Sequence, residues 1–183
     1  MNSKEKKEKC IILGPSGSGK DFLLRQLVEM GLRPLVKYTT RPPRKSEKNE
    51  VDYYFIDDKT FKDSIDKGEF ITYQSFNVTP VDRDPEVWYY GIKQEDLDNC
   101  QVVILTPFEW EQLPKEDRKK LFVVLLDIPE NIRESRISNR NDDNDSVRRR
   151  IEADRIDFEG FKDYDLCIRD HEFEAKMVYD LME

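Results

Sequence analysis

Short apolar runs alternate with segments of mixed polarity along much of the chain. Residues 21–30, between the first two runs, carry apolar side chains at helical spacing, and Gly31 follows them as a C-terminal cap. Buried strands that alternate with helices are typical of a mostly parallel sheet with helices on both faces. We therefore predict an α/β fold of three layers with a five-stranded parallel sheet, whose strands lie at residues 10–13, 35–38, 102–105, 122–126 and 166–168.

The middle of the chain has a different, aromatic-rich pattern. The stretch 77–87 contains two prolines and little apolar content, so we predict a loop or a long hairpin tip there. We interpret residues 40–94 as a small antiparallel insert standing on the parallel sheet. Its predicted elements are strands at residues 53–56, 70–76 and 88–92 and a helix at residues 59–67, with Asp58 as the candidate N-cap.

Two further helices joined by a polar turn are predicted near the C-terminus. Pro129 is well placed to open the first helix, which runs to about residue 140, and Ser146 caps the second. Because the turn between them is polar and the region is rich in arginine, we interpret residues 129–159 as a helical lid. The core of this single domain then consists of residues 9–39, 95–128 and 160–183.

The charge of the chain limits the partners that it can bind. Charged residues make up 38% of the chain and the net charge is −8, which argues against nucleic acid as a partner. A polyanionic ligand must therefore be held by a local cluster of basic side chains. The single histidine, His171, has no partner at metal-ligand spacing, and the three cysteines are isolated, so we expect no metal site built on these residues.

The sequence also bears on where the protein is found. No apolar run approaches the roughly 20 residues that span a bilayer, so we expect no membrane partner. The lysine-rich residues 1–9 lead directly into a strand, without the apolar core of a signal peptide. A cytoplasmic protein is therefore expected, and the choice between monomer and homodimer stays open.

A glycine-rich segment after the first predicted strand carries the strongest chemical signal. Its glycines let backbone N–H groups converge on phosphate oxygens, and the following helix adds its positive N-terminal end. The lysine that ends the segment reaches the terminal phosphates as a mobile charge. The alternative, an ordinary glycine turn, explains the strand–loop–helix context less well. We predict a P-loop NTPase fold with an ATP-binding loop formed by Gly14, Pro15, Ser16, Gly17, Ser18, Gly19 and Lys20, followed by Asp21.

Asp21 departs from the P-loop pattern, which places Ser or Thr after the lysine as a magnesium ligand. An aspartate is also a hard oxygen ligand, so Asp21 is our candidate ligand for Mg²⁺, directly or through water. Two alternatives stay open: Asp21 only caps the helix, or the site is inactive. The Gly-Lys-Asp ending is similar to that of other P-loop kinases, including phage deoxynucleotide kinases.

A second basic cluster follows the second predicted strand. Arg41 and Arg44 are three residues apart, and Pro42 and Pro43 stiffen the chain between them, as expected of a rigid anion clamp. Tyr53 and Tyr90 have hydroxyl groups that can donate hydrogen bonds to the same anion. The alternative is a solvated basic loop without a ligand.

From about residue 9 to the C-terminus, the chain resembles the guanylate kinase family. The resemblance rests on residues 14–20, 39–44, 52–55, 69–71, 89–91 and 140–150. It implies a kinase that uses ATP and Mg²⁺ and acts on small-molecule nucleotides. It further implies that Arg41, Arg44, Tyr53 and Tyr90 hold the acceptor phosphate, and that the lid arginines Arg140 and Arg150 approach the transferred phosphoryl group.

The sequence differs from the family pattern where the base of the acceptor is read. The resemblance assigns four further positions to the nucleoside monophosphate. At these positions the family has a serine, a guanine-binding glutamate, another serine and an acidic residue. Here they are occupied by Lys37, Thr72, Ile92 and Thr106.

The function that we predict is transfer of the ATP γ-phosphoryl group to GMP, dGMP or a related nucleoside monophosphate. Lys20, Arg41, Arg140 and Arg150 are the candidate catalytic residues. Two alternatives stay open: a kinase of the same fold with another acceptor, such as a sugar phosphate, and a non-catalytic interaction module of the same family.

Overall fold

The computed structural model describes residues 7, 9–45, 47–78, 84–139 and 147–182. Eight strands are present in this part of the chain: β1 Lys9–Leu13, β2 Lys37–Thr39, β3 Tyr53–Phe55, β4 Phe70–Val78, β5 Glu86–Lys93, β6 Val102–Ile104, β7 Leu121–Leu126 and β8 Leu166–Ile168. The helices described there are α1 Lys20–Glu29, α2 Asp58–Asp66, α3 Gln94–Asn99, α4 Pro107–Gln112, α5 Lys115–Arg118, α6 Glu130–Ser138, α7 Val147–Asp157 and α8 Ala175–Met182.

The chain forms two compact units. One unit consists of Leu35–Cys100, and the other combines Met1–Pro34 with Gln101–Glu183. We call them the inserted unit and the core unit. No helix in the described ranges combines the length and the apolar character needed to cross a membrane.

The core unit contains a parallel sheet with the strand order β6-β1-β7-β8. The strand β1 is central and pairs in parallel with both β6 and β7. Its residues 10–13 are fully buried, which explains their uninterrupted apolar sequence. Side chains from β1, α1, β7 and α8, including Ile12, Leu27, Val124 and Val178, form one apolar cluster.

The prediction of five parallel strands is wrong for the run at residues 35–38. The described residues form four hydrogen-bonded strands in this sheet, and Pro34 adds only a single parallel bridge to Val102. Proline has no N–H group and cannot continue a ladder of hydrogen bonds. The apolar run continues instead into β2 of the inserted unit, where Tyr38 stacks on Tyr54 at a centroid distance of 4.7 Å.

The sheet of the inserted unit is mixed, which corrects the prediction of an antiparallel insert. Its order is β3-β2-β5-β4, with β2 and β3 parallel and the other two pairs antiparallel. Residues 40–52 connect β2 to β3, and a crossover connection between parallel strands needs about a dozen residues. Side chains fix this connection: Lys48 N donates to Asp52 Oδ2 at 2.8 Å, and Phe55 N donates to Asn49 Oδ1 at 2.9 Å.

The strands β4 and β5 extend into the stretch 77–87, for which the sequence predicted a loop or a long hairpin tip. Asn77 pairs with Val87 and Val78 pairs with Glu86, so the hairpin arm is longer than expected. The indole N–H of Trp88 donates to the Glu86 carboxylate at 2.8 Å and supports the end of this arm. Composition did not locate the last paired residues of the two strands.

One face of the mixed sheet packs against α2. The ring of Phe61, fully buried, stacks on Phe70 at 4.4 Å and lies 5.4 Å from the ring of Tyr89. The helix begins one residue earlier than predicted, because Asp57, rather than Asp58, is the N-cap and accepts from Thr60 N. A Cβ atom at Gly91 would lie 2.7 Å from the Phe70 ring and 2.9 Å from the Phe61 ring, so the contact requires glycine.

We therefore predict that Gly91→Ala lowers the free energy of unfolding by about 1–3 kcal/mol, as overpacking of a core does. The measurement is urea denaturation followed by tyrosine and tryptophan fluorescence. The matched control is Ser75→Ala, an exposed position on the neighbouring strand β4, which should change stability by no more than about 0.5 kcal/mol. Equal stabilities of Gly91→Ala and the control would contradict the packing described.

Candidate active site

The glycine-rich segment connects β1 to α1, the strand–loop–helix arrangement predicted from the sequence. The N-cap of α1 is Gly19, in the left-handed region at φ 101°, and no side chain caps this end of the helix. The N-terminal end of a helix carries a partial positive charge, which suits an anionic ligand. The Lys20 ammonium donates to Gly14 O at 2.6 Å and to Pro15 O at 2.9 Å, so the lysine folds back over the loop that it follows.

The loop lies directly against helix α6. A Cβ atom at Gly17, which has φ 76°, would lie 2.7 Å from the carbonyl oxygen of Arg133. Only glycine allows this backbone-to-backbone approach in that conformation. The hydroxyl of Ser18 is buried and has no hydrogen-bond partner in the part of the chain that the structure describes. A buried polar atom of this kind is consistent with a loop built to contact a polar ligand.

Two arginines of α6 hold the carbonyl side of the loop. Arg136 Nη1 donates to Gly17 O at 3.2 Å and to Ser18 O at 3.3 Å, and its Nη2 donates to His171 O at 3.2 Å. Arg133 Nη1 lies 3.4 Å from Ser16 O. By occupying the carbonyl oxygens, these contacts help to keep the loop in one conformation. Sequence reasoning missed both residues, although Arg133 lies one helical turn before the buried Ile137 and so belongs to the inward face of α6.

Asp21 lies in the first turn of α1 and is exposed. The alternative interpretation of Asp21 as the helix cap is wrong, since Gly19 occupies the N-cap position. A carboxylate in the first turn complements the positive end of the helix. No cluster of three or more His, Cys, Asp or Glu side chains suited to a metal ion is found among the described residues.

Of the two predicted lid arginines, the structure describes Arg150 but not Arg140. Arg150 lies on α7, half-buried, and α7 belongs to the core unit together with the glycine-rich loop. Arg140 lies outside the described residues, as does the predicted helix cap Ser146. The helix α6 ends at Ser138, with Asn139 as its C-cap.

The anion clamp predicted in the inserted unit is organised by Glu47. One carboxylate oxygen accepts from Arg41 Nη2 at 2.8 Å, and the other accepts from Arg44 N at 2.7 Å. The Arg41 Nη1 atom donates to Pro42 O at 2.9 Å. The sequence analysis did not assign this role to Glu47. The position of an acid three residues after Arg44 could have suggested it.

Backbone contacts fix the start of the clamp on the sheet. The Thr39 hydroxyl donates to Tyr89 O at 2.9 Å and accepts from Arg41 N at 3.1 Å. Tyr89 N in turn donates to the Thr40 hydroxyl at 3.0 Å. The Thr-Thr pair before Arg41 therefore ties the clamp to β5.

Most of the acceptor residues proposed from the sequence share one face of the mixed sheet. Side chains directly opposite each other on paired strands lie on the same face, and so do alternate residues of one strand. The pairs are Lys37 with Tyr53, Thr39 with Tyr90, and Thr72 with Ile92. This is the face opposite Phe70, Gly91 and α2. The register thus brings together Lys37, Tyr53, Thr72, Tyr90 and Ile92.

The Arg41 guanidinium lies on the same aromatic surface. Its central carbon is 5.4 Å from the centroid of the Tyr53 ring and 5.8 Å from that of Phe55, within cation–π range. Tyr90 contacts Tyr53 edge to face at 5.9 Å. Only 4% of Arg41 is exposed, so this cation is held in place rather than solvated.

The electrostatics of the clamp keep both partners ionised. Burial lowers the pKa of Arg41, but its hydrogen bond to Glu47 and its contacts with Tyr90 outweigh burial and raise the pKa. Burial likewise raises the pKa of Glu47, and the hydrogen bonds from Arg41 and Arg44 N outweigh it, so the pKa is lowered. The clamp therefore carries a fixed positive charge near neutral pH.

Thr106 has a local structural role in the core unit. Its hydroxyl accepts from Glu109 N at 3.2 Å, and the fully buried Glu109 carboxylate accepts from Thr106 N at 2.8 Å. This capping box starts α4, with Pro107 at the first helical position. The other proposed base-reading residues, Lys37, Thr72 and Ile92, lie in the inserted unit.

Comparison with known proteins identifies the family. The guanylate kinase family model matches residues 6–182, so the chain belongs to the guanylate kinase family. It is 29% identical over 179 residues to a guanylate kinase of Prochlorococcus marinus, with 92% of each chain covered. It is 30% identical over 176 residues to a guanylate kinase of a Nostoc species, with 91% of this chain and 84% of the relative covered.

A solved structure supports the same fold. The crystal structure of guanylate kinase from Anaplasma phagocytophilum matches with a TM-score of 0.65 at 20% identity. The match covers 97% of this chain and 86% of the other. The family of the chain is therefore shown by its sequence, and its fold by the structural match.

The lowered pKa of Glu47 leads to a pH-dependent prediction. Its ionised form contributes stability above the ordinary glutamate pKa of about 4.3, and this contribution is lost as the pH falls through the lowered value in the folded state. At pH 7, Glu47→Gln should cost about 1.5–3 kcal/mol, the range for hydrogen bonds to charged groups. The difference from wild type should shrink as the pH falls from 5 to 3.

Urea denaturation at a series of pH values measures this difference. Asp63→Asn is the control, because Asp63 pairs with Lys59 at 2.6 Å in an exposed ion pair on α2. Such pairs contribute at most about 1 kcal/mol. A cost of Glu47→Gln that stays constant from pH 7 to pH 3 would show that the Glu47 carboxylate does not stabilise the clamp.

Proposed function

We propose that this protein is an ATP-dependent nucleoside monophosphate kinase that transfers the γ-phosphoryl group of ATP to GMP, dGMP or a related nucleoside monophosphate. The observation that carries the proposal is the buried Arg41 guanidinium, held by Glu47 on an aromatic sheet face. In a chain with a net charge of −8, a buried cation of this kind suits an anionic ligand. Membership of the guanylate kinase family supports the phosphate of a nucleotide as that ligand.

The donor nucleotide is assigned to the glycine-rich loop. The positive N-terminal end of α1, which no side chain caps, and the buried hydroxyl of Ser18 suit the phosphates of ATP, with Lys20 released from Gly14 O and Pro15 O to reach them. The ATP-binding residues proposed are therefore residues 14–21.

Mg²⁺ fits this site with limited help from the protein. A single carboxylate, Asp21, follows Lys20, and magnesium commonly binds through one or two carboxylates together with substrate phosphates and water. When bound, the ion neutralises charge on the donor phosphates. Asp21 is the residue that we assign to it.

The transfer itself needs positioning and neutralisation of charge more than covalent help from side chains. An oxygen of the acceptor phosphate attacks the γ-phosphorus of ATP, and the bond to the β–γ bridging oxygen breaks, so that ADP leaves with the bonding electrons. Arg41, Arg44, Tyr53 and Tyr90 hold the acceptor phosphate. Lys20, Arg140 and Arg150 balance the charge on the group in transfer.

A second candidate, a kinase of the same fold with a different acceptor, is favoured by the residues at the base-reading positions. Thr72 and Ile92 are fully buried, and the Thr106 hydroxyl is engaged in its capping box. These side chains do not offer guanine the carboxylate that the family uses. An acceptor other than a nucleoside monophosphate, such as a sugar phosphate, is then phosphorylated.

We predict that Lys20→Ala lowers kcat by about 10²–10³-fold, the effect of removing one donor that stabilises charge in the transition state. The measurement is ADP release with ATP, Mg²⁺ and a saturating acceptor. The control is Lys59→Ala, an exposed lysine of α2, which should leave kcat unchanged. Turnover at the wild-type rate in Lys20→Ala would rule out this mechanism.

An acceptor panel separates the two candidate functions. With ATP and Mg²⁺, we compare kcat/KM for GMP, dGMP, AMP, CMP, UMP, dTMP and ribose 5-phosphate. Preference for GMP, dGMP or another of the nucleoside monophosphates supports the first candidate. The second candidate predicts that kcat/KM for ribose 5-phosphate exceeds that for every nucleoside monophosphate by at least tenfold. Absence of transfer to every acceptor would contradict both.

A further inference from the structure

A carboxylate of helix α7 reaches into the glycine-rich loop. Asp154 Oδ2 accepts from Ser16 N at 2.9 Å, and Oδ1 lies 3.2 Å from the Ser16 hydroxyl. Only 13% of this side chain is exposed. An acid placed on a loop that binds phosphate repels the ligand, so its presence calls for a physical reason.

Arg133 partly balances this charge. Its Nη1 lies 3.5 Å from Asp154 Oδ2 and 3.4 Å from Ser16 O, while its Nε donates to Ile128 O at 3.0 Å. The Arg133 side chain is 7% exposed. Ser16 of the loop, α6 and α7 thus meet in one largely buried network of ion pair and hydrogen bonds.

Apolar packing alone does little to fix the position of α7. Its one buried residue is Ile151, whereas Ile156 is 70% exposed. Arg155 adds a two-pronged ion pair to Glu130 of α6, at 2.6 and 3.0 Å. Polar contacts to α6 and Ser16 therefore determine where this helix lies.

The helical geometry connects Asp154 to Arg150. The two residues are four apart, so they share one face of α7 and are separated by about 6 Å along its axis. Fixing Asp154 on Ser16 consequently restricts the position of Arg150 relative to the loop. A residue that touches the donor loop thereby sets the position of an arginine one turn away.

We propose that Asp154, with Arg133 as its partner, is a positioning residue that holds Arg150 in register with the donor phosphates. This inference rests on the proposed function, in which Arg150 stabilises the group in transfer. Asp154 acts through Arg150 and touches neither substrate. Its contribution therefore depends on the presence of Arg150.

A double-mutant cycle tests this dependence. The variants are Asp154→Ala, Arg150→Ala and the double variant, with Asp154→Asn as a milder change that keeps an acceptor for Ser16 N. Glu152→Ala, exposed on the same helix, is the matched control. The measurements are kcat and KM for ATP and for the best acceptor of the panel, with thermal unfolding of each variant.

We expect Asp154→Ala to lower kcat by about 10–10²-fold, the scale of a small misplacement of a catalytic group. Both KM values should stay within about threefold, Asp154→Asn should lie between wild type and Asp154→Ala, and Glu152→Ala should match wild type. The double variant should be no slower than Arg150→Ala alone, because the positioned group is already absent.

Two results would overturn the inference while leaving the proposed function intact: independent, multiplicative losses from the two substitutions, or a rise in KM without loss of kcat. If Asp154→Ala does not fold, the same cycle is run with Asp154→Asn, and the same two results decide. A folded wild-type protein that transfers no phosphoryl group to any acceptor would overturn the proposed function and this inference with it.

Discussion

An acidic chain can bind phosphate only where local positive charge is held in place. The chain has a net charge of −8, so long-range attraction does not bring a nucleotide to it. In both units, carboxylates hold buried arginines in place. Glu47 joins Arg41 to the backbone of Arg44, and Asp154 joins Arg133 to Ser16 of the glycine-rich loop. Each carboxylate reduces the net positive charge of its site but fixes the geometry.

The proposed site residues of the two units are held by different kinds of packing. In the core unit, the loop requires glycine at position 17, because the α6 backbone leaves no room for a side chain. In the inserted unit, Arg41 needs the aromatic face of the mixed sheet, and Phe61 on the opposite face stabilises that sheet. The proposed site residues are thus defined by close packing around them as much as by their own chemistry.

The features that the sequence predicted correctly are those encoded within a few neighbouring residues. The strand–loop–helix around Lys20 is of this kind, whereas the anion clamp of Arg41 and Arg44 stays a prediction. The sequence failed where the partner is distant: the run at residues 35–38 is apolar in either sheet, and the parallel pairing of β2 with β3 depends on a crossover. The role of Asp154 was missed for the same reason, because the sequence pattern of a helix does not show that one of its carboxylates accepts a hydrogen bond from a residue as distant as Ser16. The roles of Thr72 and Ile92 stay predictions from the family resemblance.

The central claim, that the protein transfers a phosphoryl group between nucleotides, is tested most directly by following the group itself. The purified protein is incubated with ATP labelled with ³²P at the γ position, Mg²⁺ and the mixed nucleoside monophosphates, and the products are separated. We expect the label in a nucleoside diphosphate, in an amount equal to the ADP formed. Label found only in ATP, or only in inorganic phosphate, would contradict the claim.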